Sequence, residues 1–155
     1  MTIIWHHLIT GENHKSGSIL WTFKPGGLSD RNTIIYGHNM KDGSMFGTLD
    51  QYQHRHFNRN YPCFICMCQD IFMSIRFFPV MQHQRIIQHI LMIFLLLRTM
   101  KFFFLETLQR SAEYNTGMTV TEEDQVVTLS TCVNTRKDYR YLVHGKLKQK
   151  IKMEE

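Results

Sequence analysis

Two β-branched runs near the carboxyl end, DQVVTLSTC (124–132) and RYLVHGKLK (140–148), constrain the fold more than any other feature of the chain. Val, Thr, Leu and Tyr in such density suit a pleated surface, so each run predicts a strand, and the polar VNTRKDY between them predicts a loop. The amino-terminal third has the same grammar. SGSIL (16–20) and NTIIYGH (32–38) have strand character, KPGGLSD (24–30) supplies turn residues between them, and DGSMFGTLDQY (42–52) predicts a turn leading into a short helix. A further helix is predicted over FFLETLQRSAEY (103–114), broken by NTGM. With 155 residues the chain has enough material for one core and too little for two, which predicts a single domain over 1–155.

Residues 53–102 depart from this grammar. They hold no glycine, one acidic residue (Asp70), three of the four cysteines and half of the ten methionines. Their apolar residues show no sustained period of 2 or 3.6, so the segment reads as anomalous within the domain. Its most apolar stretch runs into IIQHILMIFLLLRTMKFFFL (86–105), close to the length of a membrane span. Arg98 inside it would cost about 2.5–3.5 kcal/mol near a bilayer centre, which favours a buried segment. Cys63, Cys66 and Cys68 have zinc-like crowding, and His83 and His89 could complete a site on paper. Structural zinc usually takes two separated pairs of ligands, however, and no second pair follows. Neither a metal nor a cofactor is expected.

The net charge of +5 suits a phosphate- or carboxylate-rich partner, but no nucleic-acid motif accompanies it, so nucleic-acid binding is not expected. MTIIWHHLIT lacks the basic, apolar and small-residue succession of a signal peptide, so any export signal or membrane anchor is expected upstream of this start.

Chemistry is concentrated at predicted strand ends. A cysteine becomes a useful nucleophile when an imidazole or cation favours its thiolate and a donor stabilises the oxyanion formed on attack at a carbonyl. Cys132 ends VVTLST, His38 follows NTIIYG, and Arg140 opens RYLVHGKL. Arg136 competes with Arg140 but falls in the predicted polar loop. Ser130, two residues before the cysteine on an alternating strand, shares its face and is a candidate substrate contact. In isolation a lone strand cysteine is more often a core residue.

The surrounding words carry more. LSDRNTIIYGHNMKDGSMFGTLDQY, together with TLSTC and RYLVHGKL, closely resembles the class B sortases, cysteine transpeptidases of Gram-positive cell envelopes. The resemblance covers residues 15–52 and 103–148. It implies a mainly β fold with peripheral helices, the sortase-type twisted β-barrel, with its central part (53–102) disrupted. It implies Cys132 as nucleophile, His38 as acid and base, and Arg140 as the cation that stabilises the tetrahedral intermediate. The implied partners are surface proteins bearing an Asn-Pro-x-Thr-like sorting signal and a peptidoglycan or pilin amine as acceptor, at the outer face of the cell membrane. A one-base slip in the coding sequence would account for the anomalous segment, because 71–94 read one frame over can give an alternating, then polar, string. A divergent insert is the other account. The rival functional readings are an inactive sortase remnant and a small basic protein that binds anionic envelope polymer.

Overall fold

The computed structural model describes residues 18–21, 32–68, 71–84, 114, 116–121 and 123–152. Among the described residues there are six strands: β1 (Leu20–Trp21), β2 (Asn32–Tyr36), β3 (Cys63–Cys68), β4 (Ile71–Gln84), β5 (Val126–Val133) and β6 (Arg136–Lys152). A 3-10 turn, Leu49–Gln53, and one short helix, α1 (Arg55–Asn60), lie between β2 and β3. The strands form one sheet in the order β1-β2-β5-β6-β4-β3. β2 runs parallel to β5, and the other neighbouring pairs are antiparallel. The mainly β expectation holds. Closure into a barrel would require the outer strands to pair, and among the described residues β1 and β3 do not, so the sheet is open.

β2 and β5 fall where their β-branched runs predict them. The connection after β5 does not. VNTRKDY is mostly strand: Val133 pairs with Arg136 across a turn of only Asn134 and Thr135. An irregularity in register between Cys132 and Val133 takes up the mismatch. β6 therefore begins at Arg136, and Arg140 lies inside a strand rather than at its start.

Part of the anomalous segment is sheet. β3 and β4 form an antiparallel hairpin, and β4 pairs with β6 from Ile71↔Lys152 to Gln84↔Tyr139. Within β4, Met73, Ile75 and Phe77 are buried at 2, 0 and 2 % exposure, whereas Ser74 is partly covered and Arg76 exposed. A period of 2 exists here after all. Phe72 and Phe78 at alternate positions hide it in the sequence. The turn over 24–30, the apolar stretch 86–105 and the helix predicted over 103–114, Tyr114 apart, lie outside the described residues. Among the described residues no helix is long and apolar enough to cross a membrane.

The register sorts side chains to two faces. Ile35, Val127, Leu129 and Val143 share one face with Met73, Ile75 and Phe77, and Leu49 and Tyr52 close over them. Phe46, Phe57, Phe64, Cys66 and Leu147 pack at the margin. Tyr52 acts as a bolt. Its ring meets Phe57 edge-on at 4.9 Å and Phe77 at 4.4 Å, its hydroxyl donates to the Tyr61 carbonyl at 3.1 Å, and its own carbonyl accepts from Tyr114 at 2.7 Å. Burial, then Tyr114, Cys63 and Tyr61, pushes its phenol up to about 12. Each large apolar side chain buried here contributes about 1.5–3 kcal/mol relative to exposure.

At the start of β5, Asp124 ties the preceding turn to β6. Its Oδ2 lies 2.7 Å from Lys146 Nζ and accepts from the Thr121 N–H at 2.8 Å and hydroxyl at 3.1 Å. Burial alone would push this carboxyl up, but the bonds from Lys146 and Thr121 together with the lysine charge outweigh it and hold it below the usual carboxylate range.

Two predictions follow from this packing. Truncating Ile75 to Ala should cost about 2–5 kcal/mol in urea unfolding, because the neighbours cannot collapse into the void, while Ile65→Ser on the open face of β3 should stay within about 0.5 kcal/mol. Unchanged stability in Ile75→Ala would remove the hairpin from the core. The Asp124 clamp should be fully present above the unfolded carboxyl value of about 3.9 and lost as pH falls through its lower folded value. Asp124→Asn should therefore reduce stability by about 0.2–1 kcal/mol at pH 7 and lose that deficit in acid, measured by melting at several pH values.

Candidate active site

The face opposite the core carries a different set of side chains. In register across β2, β5 and β6 stand Ile34, Thr128 and His144, then Tyr36, Ser130 and Leu142, then Cys132 beside Arg140. Thr128 Oγ1 and His144 Nδ1 are 2.8 Å apart and buried, and Leu142 is 1 % exposed. The row becomes more open toward Cys132 and Arg140, both partly buried.

Arg140 is the direct cross-strand neighbour of Cys132, and its Nη1 donates to the cysteine Sγ. The sequence favours Arg140 over Arg136, which it places in the polar loop. The sheet separates them: Arg136 is exposed at the turn, its guanidinium 4.9 Å from the Tyr139 ring. Burial raises the Tyr36 phenol above its ordinary value, and the Arg140 charge partly counters that rise, so the guanidinium field reaches β2 as well.

His38 lies just beyond the end of β2. Gly37 donates its N–H to the Ser130 carbonyl at 3.1 Å, which extends the parallel ladder one rung past Tyr36. The Thr131 hydroxyl donates to the Gly37 carbonyl at 2.8 Å, and the Asn39 amide donates to the Cys132 carbonyl at 2.7 Å. Both neighbours of His38 are thus bonded to β5, one to Ser130 and Thr131 and the other to Cys132. The chain then folds back on itself. The Phe46 N–H donates to the His38 carbonyl at 2.9 Å, Asn39 and Met45 form an isolated bridge, and Asp42 Oδ1 accepts from the Ser44 N–H at 3.0 Å and hydroxyl at 2.6 Å.

Ser130 is 1 % exposed, and its carbonyl is engaged by Gly37. It stands beside Leu142 in the packed part of the row. Sequence reasoning passed over Asn39, Tyr36 and Thr131. Asn39 stands in the quoted word YGHNM, but its bond to Cys132 depends on a register that the sequence does not display. Cys63 and Cys66 are thiols rather than disulfides, and no cluster among the described residues could hold a metal ion.

A mixed sheet with an arginine directly on a partly open cysteine, and a histidine loop laced to the same strand, defines a cysteine-centred site. Known proteins resemble the chain in sequence and in fold. The chain is 34 % identical to Sortase B of Listeria monocytogenes over 160 aligned positions, which cover 92 % of this chain and 58 % of that relative. The solved structure of sortase B from Listeria monocytogenes superposes with a TM-score of 0.78 at 29 % identity, covering 94 % of this chain and 81 % of that one. A Bacillus anthracis protein described as similar to sortase B superposes with a TM-score of 0.72 at 30 % identity, covering 96 % and 68 %. No protein-family model matches. The chain belongs to the sortase B family. It spans somewhat more than half the length of its curated relative.

The loop behind His38 tolerates no added bulk at Gly47, where a Cβ would lie 2.2 Å from the Met40 carbonyl oxygen and 2.9 Å from Gly43 Cα. Both obstacles are backbone and cannot swing aside. Gly47→Ala should therefore cost about 1–3 kcal/mol and raise amide exchange across 38–46, read by hydrogen exchange. Protection equal to the parent's would show that the loop is not held this way.

Proposed function

We propose that this chain carries out sortase-type acyl transfer through Cys132. The observation that supports this most is the Arg140 guanidinium on the Cys132 sulfur, because it sets a fixed cation beside the attacking atom, where negative charge develops on a substrate carbonyl. The thiolate attacks the scissile carbonyl carbon of a sorting signal, and the negative charge passes to the carbonyl oxygen. Arg140, fixed by the strand beneath it, stabilises that oxyanion without first having to reorganise. His38 gives its proton to the departing amine as the C–N bond breaks, which leaves a thioester on Cys132 and a neutral imidazole. An incoming amine then attacks the thioester, His38 takes its proton, and the thiolate departs as the new amide forms. An imidazole suits both steps because it changes charge near neutral pH.

The proposed substrate is a surface protein with an Asn-Pro-x-Thr-like signal, and the proposed acceptor is an amine of peptidoglycan or of a pilin. The site of action is the outer face of the cell membrane. Ser130, buried beside Leu142 on the same face as Cys132, is the proposed substrate contact and would need the row to open around it.

An Asn-Pro-x-Thr peptide supplied with an amine acceptor should be cleaved, with the acyl part found on the acceptor by mass spectrometry. Cys132→Ala should abolish product. Arg140→Lys should retain a charge but lose the planar fork, lowering kcat/KM by about 10²–10³-fold. Turnover in Cys132→Ala would end the proposal.

A further inference from the structure

We propose that Asn39 is a positioning residue that locks the His38 loop to the backbone of Cys132, an inference that rests on the acyl-transfer reading for its functional meaning. In a parallel ladder, alternate residues of one strand donate their N–H to alternate carbonyls of the other. Gly37 does so to Ser130 at 3.1 Å. The next donor in that ladder would be the Asn39 N–H, and its acceptor would be the Cys132 carbonyl. The structure places the Asn39 side-chain amide on that carbonyl instead, at 2.7 Å.

This substitution has a geometric consequence. A backbone donor at 39 would keep the chain extended alongside β5. A side-chain donor lets the backbone turn away at 39, where it bridges Met45, while the rung itself is kept. The strand can thus end and the loop begin at His38 without loosening the bond to the nucleophile's own residue. Cys132 is then held at two atoms by two side chains, at Sγ by Arg140 and at its carbonyl by Asn39. The Thr131 hydroxyl on the Gly37 carbonyl, at 2.8 Å, closes the other side of His38. Position 38 and position 132 therefore move as one body. An amide is needed for this task, since a carbonyl acceptor requires a donor and Asn is the shortest side chain with an NH₂.

The decisive test is a double-mutant cycle between Asn39 and His38, with two readouts. The first is alkylation of Cys132 by iodoacetamide at pH 7, followed on its own peptide by mass spectrometry so that the other cysteines do not intrude. The second is kcat and KM on the Asn-Pro-x-Thr peptide. Asn39→Ala should slow alkylation and lower kcat by about tenfold with KM within about twofold, as expected when a catalytic group loses its alignment. In a His38→Ala background the same change should have no further effect, because its action runs through the histidine. Asn39→Asp keeps the shape and the Met45 bridge but has no donor, so it should match Asn39→Ala; it also serves if the alanine variant melts too low to assay. Additive effects in the cycle, or alkylation at the parental rate in Asn39→Asp, would overturn the assignment. If the parent cleaves no sorting peptide but the alkylation cycle is non-additive, the tether stands and the reaction assigned above fails.

Discussion

Everything in the site depends on the parallel pairing of β2 with β5. These strands are remote in sequence, and the pairing cannot be made by a tight turn. The intervening chain must leave the sheet, and part of it returns as the β3–β4 hairpin on the far side of β6. The consequence is that β5 is interior, flanked by β2 and β6, and its carboxyl end is fixed from both sides. Cys132 takes its place there because β5 has no freedom to slide. A slip of one residue on either flank would send Val127 and Leu129 away from the core and carry Cys132 to the opposite face.

The two faces of the sheet divide the labour. One is a packed apolar surface in which Ile75 and Val143 are wholly buried, and its burial supplies the cohesion. The other bears the row from Thr128 and His144 to Cys132 and Arg140, where side-chain hydrogen bonds rather than bulk set positions. Strand periodicity couples them: residues 127 and 129 in the core dictate where 128, 130 and 132 must point. The chemistry inherits its geometry from packing that it never touches.

How much of this the sequence shows depends on whether local chemistry or register decides each feature. The strands β2 and β5 are visible because β-branched residues fill NTIIY and VVTLST, and the candidates His38 and Cys132 follow from the words around them. Arg140 is visible as a candidate but misplaced relative to its strand, because polar residues in NTRKDY suggest a loop while cross-strand pairing makes most of them sheet. The β3–β4 hairpin is hidden for a different reason. Apolar residues stand at both odd and even positions of IFMSIRFF, so the alternation of buried Met73, Ile75 and Phe77 does not show in the sequence. Asn39 is invisible in principle, since a side chain that stands in for a backbone donor has meaning only once the partner strand is known.

The anomalous segment bears on the chemistry through β6. Arg140 reaches Cys132 from a strand bonded on one side to β5 and on the other to β4, where His83 is its register partner. The carboxyl end of β4 thus backs the arginine's backbone, and it lies in the same part of the chain whose composition departs from the rest. An irregularity between Phe78 and Val80, at Pro79, adjusts the register just before that contact. Proline cannot donate to a ladder, so a break in register there is what its missing N–H demands. The core residues Met73, Ile75 and Phe77 hold β4 on the near side of this break, and the pairs from Val80↔Val143 to Gln84↔Tyr139 resume beyond it. Domain stability is only about 5–15 kcal/mol, and oxyanion stabilisation depends on donors that are already in place. β4 thus supports, through the pair His83↔Arg140, the backbone from which Arg140 reaches Cys132.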